Sequence, residues 1–354
     1  MRIYIHGAGG VSPQDMTGEA PLQAAIPASE GMRFKVAEPD YKQWIDAKMI
    51  RRMSKVVKMG VAGAYRALEA ASITQPDMII TGTAYGCLDD TGVFLGKMVR
   101  QQEEMLTPTA FIQSTHNTVG GQIALMLGNH GYNNTFVHRA FSFENALLDS
   151  IMLLHEKSAD QILVGGVDEI TTYSHQILSR FGLYKTSYNE TTGLLQSNTT
   201  GTVAGEGSAF FVLGHTPSAT TKAAIVGHTT LYKPADIDTV IRFIQDFLTK
   251  HRITTADIDL LLDGRNGDHT TDSLYDTIAQ HLFTSHCIAA FKQLCGEYPT
   301  ATAFALWLAN KIISDGQLPA AAIYSGTAKQ AIKNILIYNC HSGTHHTLIL
   351  LTAC

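Results

Sequence analysis

The sequence predicts an α/β fold, and three observations carry that reading. Apolar segments with strand-like and helix-like spacing alternate along the chain. Hydrophobic residues fill 45% of the 354 positions and charged residues only 16%, which suits a large buried core and excludes a disordered chain. The segment Thr135–Ile170 packs strand, tight turn, helix and strand into one short unit. The length exceeds a typical domain of about 100–200 residues, so one large α/β unit or two fused halves is expected.

Taken in order, Met1–Ile5 reads as a strand running into a turn at the glycines that follow. Ile45–Ala71 has a long helical pattern, with apolar Ile50, Met53, Val56, Val57, Ala64 and Leu68. Met78–Ile80 is a short buried strand and Gly120–Leu127 a buried helix. Thr135–Arg139 is a strand, Ala140–Glu144 a tight turn, and Asn145–Lys157 a helix built on Leu147, Leu148, Ile151, Met152 and Leu154. Gln161–Val164 is the next strand, followed by Gly165 and Gly166. Ser187–Thr202 is rich in Thr, Asn and Gly and reads as a loop. Val203–Leu213 returns as a strand around Gly205-Glu206-Gly207, and His215–Thr221 is the best linker candidate. Beyond it, strands are expected at Ala223–Thr230, Ile258–Asp263, Asn334–Tyr338 and His346–Leu351. Helices are expected at Ile237–Leu248, Thr270–Leu282 and Tyr298–Ile313.

Charge and composition narrow the function classes. Lys and Arg number 26 against 31 Asp and Glu, a net charge of −5, which speaks against a generic nucleic-acid binder. No apolar run reaches the roughly 18 residues of a membrane span. The first residues lack the basic start, apolar stretch and cleavage site of a signal peptide, so a cytoplasmic protein is expected. The five cysteines are odd in number and show no C-x-x-C spacing, so they read as reduced thiols with no zinc site. Cys87 in TAYGCLDD has the most nucleophile-like setting of the five, and a reduced structural thiol is the favoured reading. No cofactor is implied.

The run TFVHRAFSFENALLDSIMLLHEKSADQILVGGVDEI ends its first strand at a sharp turn and its second at a Gly-Gly-acidic stretch. Other stretches fall in a matching order around it. They are IDAKMIRRMSKVVKMGVAGAYRALEAA, TGTAYGCLDD, LTPTAFIQSTHNTVGGQIAL, VAGEGSAFFVL, FKQLCGEYPTATAFAL and HSGTHHTLILL. With this order, nearly the whole chain resembles the β-ketoacyl synthases, and among them the subgroup of polyene and aryl-polyene pathways. The resemblance implies a thiolase-like layered αβαβα fold made of two similar halves, 1–216 and 217–354.

A condensing enzyme needs a cysteine at the turn, activated by the helix N-terminus, and two histidines that stabilise the thioester oxyanion. By resemblance the cysteine position falls on Ala140, whose methyl group forms no thioester. The first histidine position falls among Gly264, Arg265 and Asn266, with His269 a few residues on, and the second falls on Glu297. Lys292 matches the family lysine. The resemblance therefore implies an inactive synthase homologue of the chain-length-factor type. Its partner would be an active ketosynthase or a second copy of itself, with an acyl carrier protein as the third party.

The remaining residues carry competing readings. Ser142 is a replacement nucleophile, aided by His138 or His269 in an acyl-transfer or hydrolytic enzyme, or it is a helix N-cap. The cap is favoured because bulky Phe141 and Phe143 flank it, where a hydrolase elbow has glycines. His138, Arg139, Phe141 and Phe143 are tunnel or interface candidates, or ordinary core and turn residues. His116 and Asn117 match a Ser-x-His-Asn pattern of the subgroup and are expected to order a loop facing the partner. His341, His345 and His346 cluster, yet neighbours on a strand point to opposite faces, so no metal site is expected. Lys48, Arg51, Arg52 and Lys55 recur at helical spacing and offer one basic face for an acidic carrier protein. A third reading is an acyl-binding homodimeric scaffold.

Overall fold

The computed structural model describes residues 2–18, 20–23, 32–187 and 193–354. Residues 188–192 of the expected loop lie outside the described residues, as does Met1 of the expected first strand. The first strands, in chain order, are β1 (Ile3–Val11), β2 (Arg33–Phe34), β3 (Met78–Gly82), β4 (Asn133–Phe136), β5 (Gln161–Asp168), β6 (Ala204–Gly205) and β7 (Gly207–Gly214). Then come β8 (Ala223–Tyr232), β9 (Leu260–Asp263), β10 (Cys287–Ala290), β11 (Ile323–Ser325), β12 (Asn334–His341) and β13 (His345–Ala353). The helices begin with α1 (Ala47–Ile50), α2 (Lys55–Ala71), α3 (Leu88–Arg100), α4 (Pro108–Gln113), α5 (Thr118–Leu127) and α6 (Ser142–His155). They continue with α7 (Thr172–Arg180), α8 (Ile237–Lys250), α9 (His269–Leu282), α10 (Lys292–Cys295) and α11 (Ala301–Asp315).

Two sets of five strands repeat one topology. In the order β4-β3-β5-β7-β1 the first three strands are parallel and the last two join antiparallel. The order β10-β9-β12-β13-β8 repeats that pattern. β1 and β8 meet antiparallel, Ile3 opposite Ile225, and join both sets into one sheet that β11 extends at the far edge.

The side-chain period of two builds the layers. On β5, β7, β12 and β13, residues such as Ile162, Leu213, Ile337 and Ile349 face a central core that also takes Phe143 and Leu147 of α6 and most of α11. Leu163, Phe210 and Val212 face the other way, onto α2 and α5. Leu336, Tyr338 and Leu348 face α8 and α9. The order is therefore helix, sheet, helix, sheet, helix. α11 is apolar all round and buried from Ala301 to Ala309, as a helix between two sheets must be. No helix among the described residues is long and apolar enough to cross a membrane.

Several expected elements change shape. The glycines after Ile5 form no turn, because β1 runs on to Val11. A Cβ at Gly7 would lie 2.4 Å from the Ala67 carbonyl, and one at Gly9 2.4 Å from Arg66 Cβ. These glycines let α2 press on the strand backbone. The expected helix Ile45–Ala71 is broken. Asp46 caps the short α1, residues 51–53 turn, and α2 starts afresh at Lys55. The strand expected at Thr135–Arg139 stops at Phe136, and the helix expected from Asn145 begins at Ser142.

Gly82 sits where β3 meets the start of α6. A Cβ there would lie 2.4 Å from the Ser142 carbonyl oxygen and 2.6 Å from the Phe143 nitrogen, and neither backbone atom can yield. We expect Gly82→Ala to cost about 3 kcal/mol, the upper end for overpacking. Gly121→Ala on α5, with nothing within 4 Å of the new Cβ, should instead stabilise by about 0.5–1 kcal/mol. Urea unfolding of both variants checks the pair, and equal midpoints would refute the contact.

Candidate functional site

The turn between β4 and α6 holds the position expected for a nucleophile. A single helical turn, Arg139–Phe141, precedes α6, and Arg139 takes a left-handed φ of 49°, unusual for a residue with a side chain. Ala140 is buried, 2% exposed. Ser142 is the first residue of α6, not its N-cap. Its Oγ accepts the His138 N–H at 2.9 Å and donates to the Arg139 carbonyl at 2.7 Å. The hydroxyl proton is thus committed to backbone, and the side chain staples the turn. Phe143 is core, against Phe211. Phe141 stacks on His138 and meets His345 edge-on at 4.7 Å between centroids.

Four chemistry-bearing residues converge beside this turn. α10 ends at Gly296, whose φ of 78° redirects the chain into Glu297. Glu297 is then pinned to β6, its N–H on the Val203 carbonyl and its carbonyl on the Gly205 N–H, both at 2.9 Å. A Cβ on Gly205 would lie 2.1 Å from the Cys295 carbonyl, which is why that glycine sits opposite Gly296. The Glu297 carboxylate accepts from Asn266 Nδ2 at 2.6 Å, Lys292 Nζ at 2.8 Å and His341 Nδ1 at 3.0 Å. Burial alone would raise its carboxyl pKa, but the Lys292 ammonium and the His341 bond overturn that and hold it at about 2. Lys292 is fully buried. The positions expected for two oxyanion-binding histidines therefore hold an amide and an ionised carboxylate, bonded to each other.

Asp168, the acid of the Gly-Gly-acidic stretch, sets the opposite wall. It is buried and accepts from the Thr83 and Thr300 hydroxyls and from the Ala84 and Tyr85 N–H groups, at 2.9–3.0 Å. Burial nevertheless pushes its carboxyl up to about 6. These bonds fix the loop that presents Tyr85. A cavity of about 300 Å³ lies between that loop and the β12–β13 hairpin, lined by Tyr85, Arg139, Pro299, His341, Thr344 and His345 among others. Ala140, Phe141 and Phe143 are not in its wall.

The other expected residues are placed as follows. Arg265 is buried in a bidentate pair with Asp263, also bonds Asp276 at 3.0 Å, and lies over the Tyr324 ring. It is a structural anchor. His269 is exposed at the start of α9. His116 and Asn117 are exposed before α5, with His116 against Gly86. His345 and His346 do face opposite ways. His346 bonds the Tyr338 hydroxyl at 2.9 Å, while His345 bonds Thr344. The four basic residues do not share one helix face, because the chain breaks among them. Lys48, Arg51 and Arg52 are exposed around the α1 turn, but Lys55 pairs with buried Glu206. Cys87 is buried, which pushes its thiol up to about 12, the inert state expected for it. The residue that sequence reasoning misplaced is His341. It appeared only in a possible metal cluster, and its bond to Glu297 spans 44 positions.

Comparison with known proteins sets this geometry in context. The chain is structurally similar to the ishigamide ketosynthase/chain length factor, at 17% identity and a TM-score of 0.81, covering 100% of this chain and 99% of that one. It is similar to the ketosynthase ApeO in complex with its chain length factor ApeC from Xenorhabdus doucetiae, at 16% identity and a TM-score of 0.77, covering 100% and 98%. It also resembles AntDE:AntF, a type II PKS acyl-carrier protein in complex with its ketosynthase, at 14% identity and a TM-score of 0.76, covering 100% and 99%. These likenesses establish the thiolase-like ketosynthase fold for the five layers. No curated protein sequence matches the chain. The family model described as the N-terminal domain of β-ketoacyl synthases matches residues 12–219, more than half of the sequence. On that match, the chain belongs to the β-ketoacyl synthase family.

Proposed function

We propose that this chain is a non-condensing β-ketoacyl synthase homologue that pairs with an active ketosynthase, as a chain length factor does. The pair would extend acyl groups delivered by a carrier protein, in a polyene, aryl-polyene or polyketide-type pathway. One observation carries the reading. Ala140 stands buried at the turn before α6, while Asn266 and Glu297, at the positions expected for the two histidines, bond each other and Lys292. The surface agrees with a pairing role. Among the described residues β4 is the last strand of the sheet, its outer edge unpaired. Tyr132, Val137, Leu148 and Met152 are exposed around it, and an unpaired edge with apolar neighbours marks an association surface. The exposed Lys48, Arg51 and Arg52 remain the carrier-protein docking candidates, now without Lys55.

The test is tagged co-expression with the ketosynthase genes that neighbour this one. We expect one cysteine-bearing ketosynthase to co-purify in equal amount, with no condensation by this chain alone. Elongation of an acyl-carrier substrate by the purified chain would overturn the reading. A stable homodimer that ignores every co-expressed synthase would favour the acyl-binding scaffold instead.

A further inference from the structure

The Glu297 carboxylate has a second face. Its Oε2 is taken by Lys292 and Asn266, and its Oε1 accepts from His341 Nδ1. That bond fixes the imidazole tautomer, with the proton on Nδ1 and a lone pair on Nε2. Nε2 has no hydrogen-bond partner among the described residues, and His341 stands in the wall of the 300 Å³ cavity. A carboxylate on one nitrogen of an imidazole that lines an open cavity, with the other nitrogen unbonded, is an arrangement that suits a general base. Lys292 matters here, because its bond to the other carboxylate oxygen holds Glu297 in place as the acceptor of the ring N–H.

The rest of the wall suits an electrophile that develops negative charge. Arg139 lines it, as do Tyr85 and His345, and among the described residues no carboxylate does. The volume is at the small end for ligand pockets, so it suits a short acyl group. We propose that this cavity hydrolyses short acyl esters or thioesters, with His341 as general base for water, Glu297 as its positioning residue and Arg139 facing the oxyanion. Water's oxygen bonds to the acyl carbon as His341 Nε2 takes one water proton, and the carbonyl electron pair moves to oxygen. The C=O then re-forms, the bond to the leaving sulfur or oxygen breaks, and the leaving group takes the proton back from His341. A carboxylic acid and a thiol or alcohol result, with no change of oxidation state.

This activity is independent of pairing with a ketosynthase, and the co-purification experiment neither supports nor harms it. The groups that face His341 and shape its pH response are Glu297 and Lys292 on the α10 side. His345 faces it across the hairpin, and His138 and Arg139 face that hairpin from the turn. The full chain is assayed with 4-nitrophenyl acetate and with S-acetyl-N-acetylcysteamine. The expected rate exceeds buffer and rises with pH as the imidazole deprotonates. His341→Ala should lose about 10²-fold, with part of the loss restored by added imidazole. Glu297→Gln should move the inflection to lower pH, because it removes the negative charge beside the ring. A folded His341→Ala that keeps the native rate overturns the proposal, as does a native rate no higher than buffer. An acyl adduct on the chain by intact mass would overturn water as the nucleophile.

Discussion

Lys292→Met is expected to remove about 3–5 kcal/mol of folding stability at neutral pH, the range for breaking one partner of a buried ion pair. The substitution keeps the volume of the stem and takes away the ammonium that compensates Glu297. Asn266 and His341 still donate to the carboxylate, but neither is a permanent cation. Burial, which already acts to raise the Glu297 carboxyl, is then opposed only by the His341 and Asn266 bonds. The pH dependence follows in sign. In the native chain the carboxyl sits at about 2, below its ordinary 4.5, so its contribution is present above 4.5 and fades as pH falls toward 2. In Lys292→Met the folded carboxyl rises, so acid neutralises a stranded charge and the deficit shrinks on going from pH 7 to pH 4. Adding Glu297→Gln to Lys292→Met should recover most of the loss, because no charge is then left buried. Urea midpoints at the two pH values measure all of this. A deficit under 1 kcal/mol at pH 7 would mean that Lys292 and Glu297 do not compensate one another.

The parts of the fold that were legible in the sequence are those where local chemistry and tertiary need agree. Gln161–Val164 reads as a strand, and it is one, buried on both faces from Ile162. Gly165 and Gly166 read as its end, yet the strand continues to Asp168, because Gly165 leaves space for the Phe210 ring, whose carbon a Cβ would meet at 2.3 Å. A glycine that admits a neighbour and a glycine that makes a turn are the same letter. The break between α1 and α2 carries no Gly or Pro. Its only local marks are Asp46, which does cap α1, and Ser54 ahead of α2, both of which also occur inside helices. In the site, Lys292 and Glu297 fall within one short segment, so their pairing lies within local reach. The pairings of Lys55 with Glu206 and of His341 with Glu297 span 151 and 44 residues and have no local sign. That is why a basic stripe lost one member and a histidine cluster turned out to face a carboxylate.

Ala140→Cys, for its part, is expected to leave the chain unable to elongate an acyl-carrier substrate, at least about 10⁴-fold below an active synthase. The substitution restores one requirement. The thiol would stand two residues before Ser142, close to the N-terminus of α6, where the helix dipole favours the thiolate. It leaves the second requirement unmet. Removing one oxyanion donor costs about 10²–10³ in kcat. On the proposed placement both histidine positions are altered, and one holds a carboxylate that stays ionised at any working pH because Lys292 keeps it so. An anion in that place repels the charge that condensation must build. The assay is product mass after incubation with acyl- and malonyl-carrier proteins, run beside Ala140→Cys/Asn266→His/Glu297→His. Turnover by the single variant within 10²-fold of an active synthase would show that the oxyanion is held elsewhere. A gain confined to the triple variant would assign the defect to Asn266 and Glu297 together and not to access, since both variants share the same buried turn and the same cavity beside it.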